Sequence, residues 1–228
     1  MAMSERHLRA FLLDLDGTIA DTAPDLAAAL NALLVEEGRE PLEYETVRPF
    51  VSYGSPRLVR MGFGEGLSES DFERLKNRFL EFYRSQICQR TRLFPGISEL
   101  LEIIEAVGLS WGVVTNKPGW LTIPLLTELG LMERAGSIIS GDTLERSKPH
   151  PDPLLRAARD LDLDSGECAY IGDAQRDIEA GRAAGMFTIA VSWGYIPAGE
   201  DIHKWDAHRV LDAPHEILEY VPQQGLGT

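Results

Sequence analysis

The sequence predicts an α/β fold, a parallel sheet with helices on both faces and an α-helical cap inserted after the first strand. Three observations carry this. Apolar, β-rich runs recur at residues 10–15, 109–115, 168–172 and 188–193, with a weaker one at 137–140. Helical stripes separate these runs, and strands alternating with helices imply right-handed crossovers and a parallel sheet. Residues 20–95, by contrast, hold helical patterns and no convincing strand.

The first run ends in Asp14-Leu15-Asp16-Gly17-Thr18. Side chains two apart on a strand point the same way, so Asp14 and Asp16 leave it close together. Two neighbouring anions repel, and a divalent cation or a shared proton relieves them. Such a pair suggests chemistry, although a single Asp before Gly17 would read equally well as a turn cap.

The long segment that follows starts a helix at Thr22-Ala23-Pro24-Asp25, with an early Pro and an acid three residues after Thr. Leu26, Leu30, Leu33 and Leu34 give it one apolar face, and Gly38 ends it. A second helix begins at Ser68-Glu69-Ser70-Asp71 and carries Phe72, Leu75, Phe79, Phe82 and Tyr83. A structureless connection of this length is improbable. The division expected is therefore a core of residues 1–20 and 93–228 with a helical cap at 21–92, hung over the site as a lid. Within the cap, the turn Tyr53-Gly54-Ser55-Pro56-Arg57 is a candidate for substrate selection. Arg57 suits a substrate carboxylate, and it suits a solvated helix start equally well.

Past the cap, Ile97, Leu100, Leu101 and Ile104 form a helical stripe before Gly108, and Leu121, Leu125, Leu126 and Leu129 another before Gly130. In open parallel sheets the ligand crevice lies beyond the carboxyl ends of the strands. Asp14, Thr115 and Gly172-Asp173 each stand at such an end. Trp193-Gly194-Tyr195 and Trp205-Asp206-Ala207 offer aromatic faces to a substrate but read more readily as packing of a returning C-terminal segment, and residues 223–228 as a frayed end.

Composition narrows the function. The formal net charge is −14 and the sequence pI near 4.8, with no Lys/Arg cluster of the kind a nucleic-acid binder shows. An acidic protein that takes an anionic small molecule needs a metal and a few placed cations in its pocket. No apolar run is long enough to cross a bilayer, and the first residues are polar, so the expectation is a cytoplasmic protein without a membrane partner. Cys88 and Cys168 lie far apart and read as inert thiols. The five His fall at no metal-ligand spacing, and a monomer or homodimer is expected.

Four motifs in order are Asp14-Leu15-Asp16-Gly17-Thr18, Val113-Val114-Thr115-Asn116, Ser147-Lys148-Pro149, and Ile171-Gly172-Asp173 followed by Asp177. With these four, essentially the whole chain resembles the haloacid dehalogenase-like hydrolases, and among them the capped phosphatases. The resemblance implies a Rossmann-like core and a Mg²⁺-dependent phosphatase working through an aspartyl-phosphate. It implies Asp14 as nucleophile and Asp16 as acid then base. The Mg²⁺ ligands it implies are the Asp14 carboxylate, the Asp16 carbonyl and Asp173, with Asp177 supporting them. Lys148 would place an ammonium on the phosphate and Asp14, and the Thr115 hydroxyl and Asn116 amide would hold a phosphoryl oxygen. The substrate implied is a small phosphate monoester, phosphoglycolate first. N-acetylmuramic acid 6-phosphate is the alternative, and a β-phosphoglucomutase-like transfer a lesser one.

Overall fold

The computed structural model describes residues 7–221. Six parallel strands form the sheet: β1 (Ala10–Leu13), β4 (Ser110–Val114), β5 (Ser137–Ile139), β6 (Cys168–Gly172), β7 (Phe187–Val191) and β8 (Arg209–Leu211), in the order β5-β4-β1-β6-β7-β8. Strand β1 is central, with Ala10 opposite Ser110 on one side and Cys168 on the other. All four of its residues are buried, as a strand covered on both faces requires. Phe11 and Leu13 join the larger apolar cluster on one face, while Ala10 and Leu12 join a second cluster with Val114, Leu154 and Tyr170 on the other. The chain builds outward from β1 through β4 and β5, then returns to β6 on the opposite side. That reversal makes the carboxyl end of β1 the switch point where a crevice opens.

Helices α5 (Ile97–Ala106), α6 (Gly119–Glu128), α7 (Asp152–Asp160) and α8 (Gln175–Ala183) cover the sheet. The expected run at 188–193 ends as a strand at Val191, and the sheet gains an edge strand, β8, that the sequence pattern does not predict. Three residues are too few for a periodic signal.

The segment between β1 and β4 is helical, with one correction to the expectation of no strand. Ala20–Asp21 (β2) and Arg92–Leu93 (β3) pair antiparallel where the chain enters and leaves the insertion. Between them lie α1 (Ala23–Glu36), α2 (Tyr44–Val47), a 3₁₀ turn at Arg48–Tyr53, α3 (Gly54–Phe63) and α4 (Glu69–Ser85). Helices α1 and α4 pack together, and Leu26, Leu30, Leu33, Leu75, Phe79 and Tyr83 are buried in the same cluster as Leu13 and Leu15 of the core. Truncating one such side chain, Phe79→Ala for example, removes roughly 3–5 kcal/mol.

Ser68 caps α4 by accepting the Asp71 N–H at 3.1 Å. The Thr22 hydroxyl does not cap α1; it donates to Asp16 instead. Asp25, in the first turn of α1, accepts the N–H groups of Arg90 and Thr91 and the Thr91 hydroxyl, at 2.8–3.0 Å. This buried carboxylate ties the start of the insertion to its end. Among the described residues no helix is long and apolar enough to cross a membrane. The expected fraying at 223–228 lies outside them.

Candidate active site

The backbone leaves β1 through a turn that only glycine fits. Gly17 has φ +86°, and a Cβ on it would lie 2.1 Å from Asp173 Oδ2. A Cβ on Gly194 would likewise fall 2.3 Å from the Asp173 Cβ. The two glycines allow the carboxyl ends of β1, β6 and β7 to close around Asp173. Tyr195 N–H donates to Asp173 Oδ2 at 2.9 Å, and the Ser52 hydroxyl, from the insertion, donates to the same oxygen at 2.6 Å.

Asp14, Asp173 and Asp177 are all buried and offer carboxylate oxygens within 4.8 Å of one another. Burial, then the charges of Asp14 and Asp177, push the Asp173 carboxyl up to about 7. Burial also raises Asp177, against the pull of Lys148. Asp177 follows Asp173 by one helical turn, at the start of α8, and its Oδ2 accepts the Ala174 N–H at 3.1 Å.

Lys148 enters from the loop before α7 with its ammonium fully enclosed. Nζ lies 3.0 Å from Asp14 Oδ1 and 2.8 Å from Asp177 Oδ1, and it donates to Val114 O at 2.8 Å and the Tyr170 hydroxyl at 2.7 Å. With two of its three protons on Val114 and Tyr170, it cannot serve both carboxylates in good alignment. Among the described residues Asp177 Oδ1 accordingly has no aligned donor, although it is buried and 2.8 Å from Lys148 Nζ. An all-oxygen carboxylate cluster with an underserved oxygen suits Mg²⁺, a hard cation that takes one or two carboxylates plus water and phosphate.

Asp16 sits apart from that cluster, partly exposed, with Lys117 Nζ 2.8 Å away. Lys117 also donates to the Tyr83 hydroxyl of α4 at 2.9 Å. A chain of contacts therefore runs from Asp16 through Lys117 into the insertion. The Asn116 side-chain amide clamps the Lys148 backbone in both directions, at 2.9 and 3.0 Å. The Thr115 hydroxyl accepts the Lys117 N–H at 3.2 Å. Asp14, Asp16, Thr115 and Asn116 line one cavity of about 340 Å³, roofed by Val51–Pro56, Leu58, Phe79 and Tyr83 of the insertion.

The structure thus brings together Asp14, Asp16, Thr115, Asn116, Lys148, Asp173 and Asp177. It does not bring Arg57 to them. That guanidinium pairs with Glu65 at 3.2 Å and lies 5.0 Å from the Phe50 ring, because the turn Tyr53–Pro56 faces the cavity and the next position on α3 faces away. Sequence reasoning missed Ser52, Tyr83, Lys117, Tyr170 and Arg176 as site residues, and it favoured packing over substrate contact for Tyr195. Lys117 adjoins a quoted motif and Arg176 lies inside another, so spacing could have flagged both; Ser52, Tyr83 and Tyr195 arrive only through tertiary contact.

The family model described as haloacid dehalogenase-like hydrolase matches residues 11–191. The chain is 41% identical over 217 residues to the N-acetylmuramic acid 6-phosphate phosphatase of Pseudomonas aeruginosa, covering 95% of this chain and 96% of that protein. It is 40% identical over 214 residues to the phosphoglycolate phosphatase of Xanthomonas campestris pv. campestris, covering 94% and 96%. A crystal structure of a predicted phosphoglycolate phosphatase from Haemophilus somnus 129pt superposes with a TM-score of 0.85 at 28% identity, covering 96% of this chain and 100% of that one.

Proposed function

The chain belongs to the haloacid dehalogenase-like hydrolases, and from that we propose that it is a Mg²⁺-dependent phosphatase of a small, carboxylate-bearing phosphate monoester. The observation that carries this reading is the buried set of Asp14, Lys148, Asp173 and Asp177 at the switch point, opening onto a roofed cavity that Asp16 also lines.

Monoester hydrolysis is slow in water, and a covalent intermediate divides it into two easier steps. Asp14 is the nucleophile: a carboxylate oxygen attacks phosphorus and the ester oxygen leaves. Asp16, free of the Asp173 cluster and held by Thr22 and Lys117, protonates that oxygen and then takes a proton from the water that cleaves the acyl phosphate. Lys148 fixes Asp14 and offsets charge on the phosphoryl oxygens. The Thr115 hydroxyl and the Asn116 N–H, which has no partner among the described residues, face the same cavity as oxyanion donors. Asp14, Asp173 and the Asp16 carbonyl would hold Mg²⁺, with Asp177 behind them. The ion supplies neutralisation of charge on the transferred group.

Phosphoglycolate is the first substrate to test. A second reading, N-acetylmuramic acid 6-phosphate, is favoured by the size of the cavity, about 340 Å³ and walled in part by Leu26, Val51, Leu58, Phe79, Leu80 and Leu121, which leaves room for more than a two-carbon acid. Turnover of both compounds with Mg²⁺ decides between them. Release of phosphate from neither, nor from any other monoester, would overturn the phosphatase reading itself.

A further inference from the structure

We propose that Arg176 is the specificity residue that binds the substrate's second anion, its carboxylate. This rests on the phosphatase reading and names the group that selects among phosphate monoesters.

Arg176 stands in the first turn of α8, between Asp173 and Asp177. Successive helical residues are about 100° apart around the axis, so Asp177 can face Lys148 while Arg176 faces the insertion. The Arg176 side chain lines both the reaction cavity and a neighbouring one of about 340 Å³, with Ser52 and Tyr53 of the insertion lining both beside it. It is therefore a wall residue at the seam between the two halves of the protein, mostly enclosed yet facing open space.

Among the described residues its charge has no partner of its own. The guanidinium sits in the field of Asp177, Asp14 and Asp173, yet it makes no hydrogen bond or ion pair among the described residues. The other cations at the site are committed. Lys148 lies against Asp14 and Asp177, and Lys117 against Asp16 and Tyr83. Arg57 pairs with Glu65 away from the cavity. A partly enclosed guanidinium with five unused donors is matched by a planar carboxylate, which it can bind through two parallel hydrogen bonds. The phosphoryl end of the substrate already has the Thr115 hydroxyl and the Asn116 amide, with the Lys148 charge behind Asp14, so the unclaimed Arg176 fits the other end of the molecule.

The test uses matched substrate pairs, with and without the carboxylate. Phosphoglycolate is compared with ethyl phosphate, and N-acetylmuramic acid 6-phosphate with N-acetylglucosamine 6-phosphate. For Arg176→Ala, the ratio of kcat/KM for the carboxylated to the uncarboxylated member should fall about 10-fold to 100-fold, the loss of a charge-assisted hydrogen-bonding pair. Most of the loss should appear in KM. Arg176→Lys, which keeps the charge but not the fork, should recover part of it. Where Arg176→Ala does not fold, Arg176→Gln carries the same measurement. A direct readout is the affinity of phosphonoacetate for the Asp14→Asn protein by calorimetry, which should weaken when Arg176 is also replaced, while inorganic phosphate weakens far less. Equal loss for both members of a pair would overturn the proposal and leave the phosphatase reading standing. Absence of phosphatase activity in the unaltered protein would overturn the reading on which it rests.

Discussion

The two sides of the cavity are built differently. On the core side, Asp14, Lys148, Asp173 and Asp177 are buried, crowded and held by backbone from three strand ends and a helix start. On the insertion side, Ser52 and Tyr83 each reach the site through one hydrogen bond, and Tyr53 through the cavity wall. The core side is a rigid charged cluster in which each group is set by several others. The insertion meets that charged cluster at few polar points, while its helices share the apolar core with Leu13 and Leu15.

If this contrast holds, the largest effects lie on the core side. Asp14→Asn should lower kcat by about 10⁴-fold or more, the scale on which loss of a covalent nucleophile falls. Phosphate release with Mg²⁺ measures it, and residual activity above a few per cent would break the covalent mechanism.

Lys148 tests the same cluster through stability. Its ammonium is wholly enclosed between two carboxylates. Lys148→Met leaves those anions buried without their cation, and removing one partner of a buried pair removes roughly 3–5 kcal/mol. Denaturant unfolding at neutral pH without Mg²⁺ should show it. A loss below 1 kcal/mol would mean that solvent reaches the cluster.

The core cluster also carries a pH signature. The Asp173 carboxyl is raised to about 7, so the folded protein holds a proton there that the unfolded chain releases near pH 4. The folded state therefore binds more protons between these values, and stability from this group is lost as pH rises from about 4 through about 7. In Asp173→Asn that loss is absent. Without Mg²⁺, thermal unfolding of the two proteins should converge at and below about pH 4 and separate as pH rises through about 7, with the variant the more stable. Mg²⁺ should narrow the gap for the unaltered protein, because binding requires the ionised carboxylate. A gap that does not vary with pH would place Asp173 in contact with solvent.

How far the sequence could reach follows the same divide. Asp14, Asp16, Thr115 and Asp173 announce themselves because a strand end has fixed geometry: two-residue spacing and a following Gly state where the side chains go. The strands β1, β4, β6 and β7 are legible for a related reason, since burial on both faces leaves continuous apolar runs. The ribbon of Ala20–Asp21 and Arg92–Leu93 is not legible, because two-residue strands have no period. Neither is the diversion of the Thr22 hydroxyl from a helix cap to Asp16, a choice made by tertiary proximity. Tyr83 is visible only as one more apolar position on α4, although its hydroxyl ends on Lys117.

Single contacts on the insertion side predict smaller effects. Tyr83→Phe removes the hydroxyl that holds Lys117, a hydrogen bond worth about 1 kcal/mol. It should lower kcat about fivefold while leaving the fold intact, and Ser52→Ala should do about the same through Asp173. The pair combined should be close to additive if each contact acts by itself. Strong non-additivity would show that the insertion closes as one unit and that the two contacts report a single motion.

The smallest effect belongs to Arg57, the residue that sequence pattern offers most readily. It sits one position past a cavity-lining turn, carries the right charge, and is nonetheless turned toward Glu65 and Phe50 on the outside of α3. Exposed ion pairs contribute about 0–1 kcal/mol, so Arg57→Ala should shift stability by that little and kcat/KM by less than about threefold. The same substitution at Arg176 should change substrate preference far more. Two arginines on facing elements thus divide by direction rather than by type. Only the helix phase that turns one inward and the other outward separates them. If Arg57→Ala instead proved the more damaging, α3 would have to rotate on substrate binding, and the roof would be a moving part of the recognition surface rather than a cover.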